Sequence, residues 1–378
     1  MKTLRILILL LLISSCTKKP EIKNRESSGF VYATYSAGER LKTQEHIAPQ
    51  NLQEFDLFYL VASPKWIGAD FDLEQSVINK KYIESNNYIS HFNLDLVLKY
   101  IDNIHKVGGK VLCSFSGRQF IEIASIPERR MRFATMMAQF VKRFNYDGIE
   151  LDWEHTVNVS LHLSFMKEIR EALDKLNTNC PLLLTTALNP YHKYTKEQAE
   201  SLSNCADWIN LMFYDMGGGC WKEKTASHNA PLNEIELLIK EWNHFPPQKI
   251  CIGLPSYGFY YKNLQPETTT EGDKNLGDHG RYCNYTELPG LLAKGWYEKW
   301  DSLSQSSYFI SPDNNEFVTL ESYRSLDAKL DWIKKNNFRG VFWWEFHCDW
   351  VASSRNGKRG KHLIMDYVTQ KIKPEIKL

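Results

Sequence analysis

Short apolar runs alternate with amphipathic stretches along most of the chain. Runs rich in β-branched and aromatic residues, bounded by Gly, Pro or Asn, predict eight strands. They fall near residues 29–36, 55–62, 110–116, 146–154, 182–188, 208–214, 250–256 and 339–345. Helical spacing appears between them. Leu94, Val97, Leu98, Ile101 and Ile104 form one stripe, which Gly108-Gly109 stops. Pro127 opens a second helix with Phe133, Met136, Met137, Phe140 and Val141 on its apolar face. Leu161, Phe165, Ile169 and Leu173 make a third. Eight strands separated by helices predict the α/β class and a (β/α)8 TIM barrel. Residues 259–338 break the rhythm between the seventh and eighth strands and are too many for one connection. A small α+β insertion subdomain at about 259–320 is expected there, beside the mouth formed by loops after the strands.

The N-terminus follows a different rule. A basic stretch, Met1 to Arg5, precedes an apolar run from Ile6 to Ile13 that is too short to span a bilayer as a helix. The run ends in Ile13-Ser14-Ser15-Cys16, which resembles a bacterial lipobox with Cys16 as the lipidated residue. The alternative is an ordinary secretory signal cut near Ser15. Residues 17–28 are polar and read as a tether, leaving 29–378 for the barrel. The expectation is a monomer in the bacterial cell envelope, periplasmic or at the outer-membrane surface, held to the membrane by its N-terminal lipid.

Composition narrows the partners. The net charge is +1 and no basic run stands out, which argues against nucleic acid. Eleven Trp and nineteen Tyr suit the stacking of sugar rings, although most must fill the core. Seven cysteines follow Cys16, so at least one is unpaired within the chain. Cys113 and Cys251 lie in apolar strand runs, while Cys180, Cys205, Cys220, Cys283 and Cys348 leave room for a disulfide. No cysteine spacing suggests zinc, and no metal or cofactor is expected.

The candidate chemistry lies in Tyr146-Asp147-Gly148-Ile149-Glu150-Leu151-Asp152-Trp153-Glu154. Alternate strand residues share a face, so Glu150, Asp152 and Glu154 point one way and Ile149, Leu151 and Trp153 the other. Neighbours on that face are roughly 7 Å apart. Three carboxyls there have no packing rationale. They repel, and burial penalises each ionised form, so they share protons, bind a cation or do chemistry. A carboxylic acid still protonated near neutrality is what glycosidic bond cleavage requires.

The segment from Asp147 to Glu154 resembles the D-G-x-D-x-D-x-E signature of family-18 glycoside hydrolases, the chitinase family. Other segments match that family in order. Ser114-Phe115-Ser116-Gly117 resembles its third-strand S-x-G-G, and Met212-Phe213-Tyr214-Asp215 its M-x-Y-D. Gly253-Leu254-Pro255-Ser256-Tyr257-Gly258 resembles G-L-P-x-Y-G, and residues 340–345 the Trp-bearing eighth strand. The resemblance spans about residues 29–350. It implies retaining hydrolysis of β-1,4-linked N-acetylglucosamine polymers, with the substrate's N-acetyl carbonyl in place of a protein nucleophile. Glu154 would be general acid and base, Asp152 would orient the acetamide, Glu150 would share its proton, and Tyr214 would donate to the acetamide oxygen. Asp215, Met212, Trp344 and Tyr257 would bind substrate, Trp344 as the apolar floor. Trp66 and Trp221 are further stacking candidates.

Two departures bear on rate. Glu150 stands where the family has Asp, and Ser116 where it has Gly. The first strand offers either Tyr32 or Tyr35 as the sugar-contacting tyrosine. Rival readings are an endo-β-N-acetylglucosaminidase acting on N-glycans and a non-catalytic glycan-binding lipoprotein. The second leaves an intact Glu154 unexplained.

Overall fold

The computed structural model describes residues 29–41, 47–61, 94–117, 120–154, 157–178, 180–217, 226–262, 280–355 and 358–376. Cys16, the tether, Trp66, Cys220 and Trp221 lie outside them.

Strands β1 (Val31–Ala37), β2 (Leu57–Val61), β3 (Lys110–Ser116), β4 (Gly148–Asp152), β5 (Leu183–Leu188), β6 (Trp208–Leu211) and β7 (Ile250–Pro255) are the first seven of the barrel. Five strands of an insertion follow: β8 (Tyr257–Lys262), β9 (Gly280–Asn284), β10 (Tyr297–Asp301), β11 (Ser306–Ile310) and β12 (Glu316–Val318). The chain then returns to the barrel with β13 (Gly340–Trp344). The eight barrel strands pair in parallel in the closed order β1-β13-β7-β6-β5-β4-β3-β2. All eight expected strands are present. β4 and β6 are shorter than expected because the chain leaves the sheet at Trp153 and Met212 to build the mouth.

The helices cover the barrel because their apolar stripes must be buried. Leu94–Lys106, Pro127–Arg143 and Val159–Asp174 are the three helices that the spacing predicts. Phe133, Met137, Phe140 and Val141 are buried on the second, as are Phe165, Ile169 and Leu173 on the third. Asn158 caps the third helix by accepting from Leu161 N.

The insertion is an antiparallel sheet in the order β10-β11-β12-β8-β9, beginning at Tyr257, two residues earlier than the pattern suggests. Apolar residues along β8 are continuous rather than alternating, which blurs the boundary in the sequence. After the sheet the chain enters the helix Tyr323–Lys335, where Glu321 and Lys329 form a buried ion pair and Ser325 Oγ donates to Glu321 at 2.5 Å.

One glycine marks a place where backbones touch. A Cβ on Gly148 would lie 2.1 Å from Leu183 O, so only glycine lets β4 and β5 meet at the barrel floor. Beside it, Asp147 accepts from Val111 N at 2.8 Å and pairs with His105 at 2.8 Å. The first acid of the signature therefore ties β4 to β3 at the end opposite the mouth and serves the fold.

The six described cysteines, Cys113, Cys180, Cys205, Cys251, Cys283 and Cys348, are all free. Among the described residues no helix is long and apolar enough to cross a membrane.

Candidate active site

The site is built at the C-terminal end of β4 and from the inward positions of its neighbours. Register sets Ser114 beside Glu150 and Ser116 beside Asp152 on β3, with Thr185 and Ala187 opposite them on β5. Glu150 is fully buried and Asp152 nearly so, while Glu154, two residues past the strand, is exposed at the mouth. Trp153 turns the other way, as alternation predicts, and packs against Phe120 and His162. That packing fixes the point at which the chain leaves the sheet, and so aims Glu154.

Glu150 sits near the barrel axis. Tyr35 Oη donates to its Oε1 at 2.5 Å from β1, and Asn210 Nδ2 donates to the same oxygen at 2.6 Å from β6. Tyr59 stacks on Tyr35 at 4.7 Å and donates to Asn210 Oδ1, and Trp208 Nε1 donates to Tyr59 Oη. A chain of polar contacts thus crosses the barrel interior. Burial pushes the Glu150 carboxyl up to about 7, more than the Tyr35, Asn210 and Ser114 contacts pull it down, and the Glu154 charge adds to the rise.

Asp152 is pushed well above the usual carboxyl range, first by burial, then by the charges of Glu154 and Glu150. The neighbouring Ser116 hydroxyl works against that rise. Glu150 Oε2 and Asp152 Oδ1 are both buried with no hydrogen-bond partner. Such oxygens favour the protonated form. Two buried acids that resist ionisation therefore lie behind an exposed carboxyl.

Tyr214, past the end of β6, faces the trio. Burial, then the charges of Glu154, Asp152, Asp215 and Glu150, hold its hydroxyl protonated as a donor. Its ring is seated against Phe342 and Tyr257. A Cβ on Gly253 would meet Tyr214 Cε1 and Phe342 Cζ at 2.7 Å and Leu211 O at 2.9 Å, so the glycine of the seventh-strand motif makes room for that ring. Asp215 takes a left-handed backbone conformation, φ 57°, and accepts from Tyr257 Oη at 2.6 Å. Trp344 ends β13, half-buried, 5.2 Å from Tyr35, whereas Trp343 is fully buried and donates to Tyr32 Oη. Met212 is half-buried at the end of β6 and packs on the hydrophobic core.

Glu150, Asp152, Glu154, Tyr214, Asp215, Tyr257 and Trp344 are thus brought to one end of the barrel. Of the two first-strand tyrosines, Tyr35 faces the barrel interior and Glu150, whereas Tyr32 is turned outward and donates to Met365 O. Asn210 and Tyr59 were not singled out by the sequence, and Ser114 entered only as part of the third-strand motif. Asn210 carried a signal, a lone amide in an apolar strand two inward positions before Tyr214. Among the described residues no cluster of His, Cys, Asp and Glu could hold a metal ion.

Comparison with known proteins adds an independent line. Residues 53–349 match a family model described as glycosyl hydrolases family 18. Chitinase A1 of Niallia circulans is 26% identical over 290 residues, 66% of this chain and 41% of that protein. Probable chitinase 2 of Drosophila melanogaster is 27% identical over 254 residues, 58% of this chain and 51% of that protein. The chain therefore spans about half the length of these curated relatives. Among solved structures, an immunomodulatory active chitinase from Trichuris suis superposes with a TM-score of 0.70 at 21% identity. That match covers 91% of this chain and 100% of the other, and speaks to the fold alone.

Proposed function

The chain belongs to the glycosyl hydrolases family 18, and from that premise we propose that it hydrolyses β-1,4-linked N-acetylglucosamine polymers, chitin or chitooligosaccharides. The observation that carries this reading is the placement of three carboxyls along one line of β4, with Glu154 exposed at the barrel mouth, Asp152 nearly buried and Glu150 fully buried behind it. Glu154 gives its proton to the glycosidic oxygen as the bond to the anomeric carbon breaks. The acetamide carbonyl of the substrate closes on that carbon, so configuration is retained without a protein nucleophile. Asp152 accepts the acetamide N–H and balances the positive charge of the ring intermediate, and Tyr214 donates to the acetamide oxygen. Water then attacks the anomeric carbon and leaves its proton on Glu154. Asp215, Tyr257, Met212 and Trp344 hold the sugar, and no cofactor is needed. Both curated relatives are called chitinases, and the inserted sheet beside the mouth suits a cleft for a linear polymer. We place the protein in the bacterial envelope as a monomer anchored through Cys16, a reading that rests on the N-terminal sequence.

The test is Glu154→Gln. Turnover of N-acetylated chitooligosaccharides should be abolished while their binding stays close to wild type. General acid catalysis contributes about 10²–10⁴-fold, so a variant keeping more than about a tenth of the wild-type rate would sink the assignment. Products from a high-mannose glycopeptide, run alongside, separate chitin cleavage from cleavage of N-glycan cores.

A further inference from the structure

We infer that Asn229 is a positioning residue, whose side-chain amide sets Asp215 and Tyr257 in the geometry that the sugar meets. The inference rests on the hydrolase reading above for its activity readout. Asn229 lies in the loop after β6 and is 2% exposed. Its Oδ1 accepts from Asp215 N at 2.8 Å. Its Nδ2 donates to Tyr257 O at 2.9 Å. The two partners leave one orientation of the amide, since a backbone N–H needs the oxygen and a carbonyl needs the nitrogen. Its own carbonyl accepts from Met216 N at 3.0 Å. Tyr257 Oη then closes the circuit on Asp215 Oδ1 at 2.6 Å.

What this clamp holds is an uncommon backbone conformation. Asp215 is in the left-handed region at φ 57°, a conformation uncommon for residues with a side chain, though Asp reaches it more readily than most. Without Asn229, the Asp215 N–H and the Tyr257 carbonyl lose their partners in a buried place. The loop that delivers Asn229 is itself wedged in position. A Cβ on Gly217 would meet His228 O at 2.4 Å and Ser227 O at 2.7 Å, so the chain after Asp215 lies directly on it. On its far side, Leu232 N donates to Ser304 O at 2.8 Å, and His228 pairs with Asp301 at 3.2 Å, both in the β10–β11 hairpin. Asn229 thus joins two pieces, the end of β6 with Asp215 and the start of β8 in the inserted sheet with Tyr257, from a loop whose neighbours His228 and Leu232 also reach the β10–β11 hairpin. No strand pattern announces it, and it makes no bond to the acidic trio. Its effect passes through Asp215 and Tyr257.

The experiment compares wild type, Asn229→Ala and Asn229→Asp, with kcat and KM on tetra-N-acetylchitotetraose from pH 5 to 8. Thermal melts are recorded at each pH, and the crystal structure of Asn229→Ala is determined. Displacing a positioned group by about an ångström costs up to about 10²-fold, so Asn229→Ala should fold and lose about 10- to 100-fold in kcat/KM. The isosteric Asn229→Asp keeps the acceptor for Asp215 N but, when ionised, turns an oxygen onto Tyr257 O. Protonated, it donates there as the amide did. The ionisable groups around it are Asp215 and Tyr214 from the β6 end, Tyr257 from β8, and His228 with Asp301 beside the hairpin. Burial and the Asp215 carboxyl raise the new acid's pKa, so its activity relative to wild type should recover by about tenfold from pH 8 to pH 5. A structural role would move melting temperature and activity together, whereas the clamp predicts recovery of rate in protein that is folded at both pH values. Wild-type kcat/KM in Asn229→Ala overturns the inference, as does a pH-independent activity ratio for Asn229→Asp. So does a crystal structure of Asn229→Ala in which Asp215 keeps its positive φ and its bond to Tyr257. If wild type cleaves no N-acetylglucosamine glycan, the hydrolase reading fails instead, and the crystal structure alone decides the clamp.

Discussion

Glu150→Gln exchanges a buried carboxyl for an uncharged isostere at the centre of the barrel. Gln keeps an oxygen for Tyr35 and Asn210 and sets an amide nitrogen where Oε2 lay, near Ser114. Burial raises the Glu150 carboxyl from 4.5 to about 7. Between those values the folded chain holds a proton that the unfolded chain has released, so stability falls as pH rises through the window and is level above it. At about 1.4 kcal/mol per pH unit, ionised Glu150 costs the fold about 3 kcal/mol at neutral pH and nothing below pH 4.5. Unfolding entropy of about 2.1 cal/mol/K per residue over 378 residues converts this to about 4 °C in melting temperature. The assay is a melt of wild type and Glu150→Gln at half-unit steps from pH 4 to 8. The difference between them should move by about 4 °C in favour of the variant as pH rises through that window. Activity should respond as well. Ionised Glu150 helps to raise Asp152, so without it Asp152 releases its proton at lower pH and the alkaline limb of the kcat/KM profile shifts down. A melting difference that is flat with pH, together with superimposable rate profiles, would refute the reasoning and leave Glu150 a bystander.

Three further predictions follow from the same geometry. Glu150→Asp should preserve or raise kcat/KM, because it restores the family's shorter acid; a loss of more than about tenfold would show that the Tyr35 and Asn210 bonds need the longer side chain. Gly253→Ala drives a methyl into Tyr214 and Phe342 and should cost about 1–3 kcal/mol of stability, read by urea denaturation, with most of the activity lost. Cys16→Ala should move the protein out of the membrane fraction, and an unchanged fractionation would remove the anchor from the account.

Periodicity made the barrel legible because each strand and helix is specified by its own apolar spacing. The acidic face of β4 was legible for the same reason: alternation alone groups Glu150, Asp152 and Glu154. What alternation does not give is the partner across the barrel. Tyr35 reaches Glu150 from 115 residues away and Asn210 from 60, and nothing local to either residue encodes the meeting. Trp343 and Trp344 were separable, since neighbours in a strand face opposite sides, and Trp344 is the one beside Tyr35. Asn229 was not, because a loop residue has no period and its value depends on what two other loops bring to it. The boundary of the insertion was hidden by the unbroken apolar sequence of β8.

The direction of β1 has a consequence for how the whole particle is oriented. β1 runs toward the mouth, with Val31 at the floor, where its nitrogen donates to Arg339 O, and Tyr35 further up at the site. Whatever precedes Val31 therefore joins the barrel at the end away from the catalytic opening. A lipid at Cys16, as proposed, would then attach to the barrel from its base side and leave the opening clear of the attachment point. A polymer too large to approach a bilayer closely would then still reach Glu154.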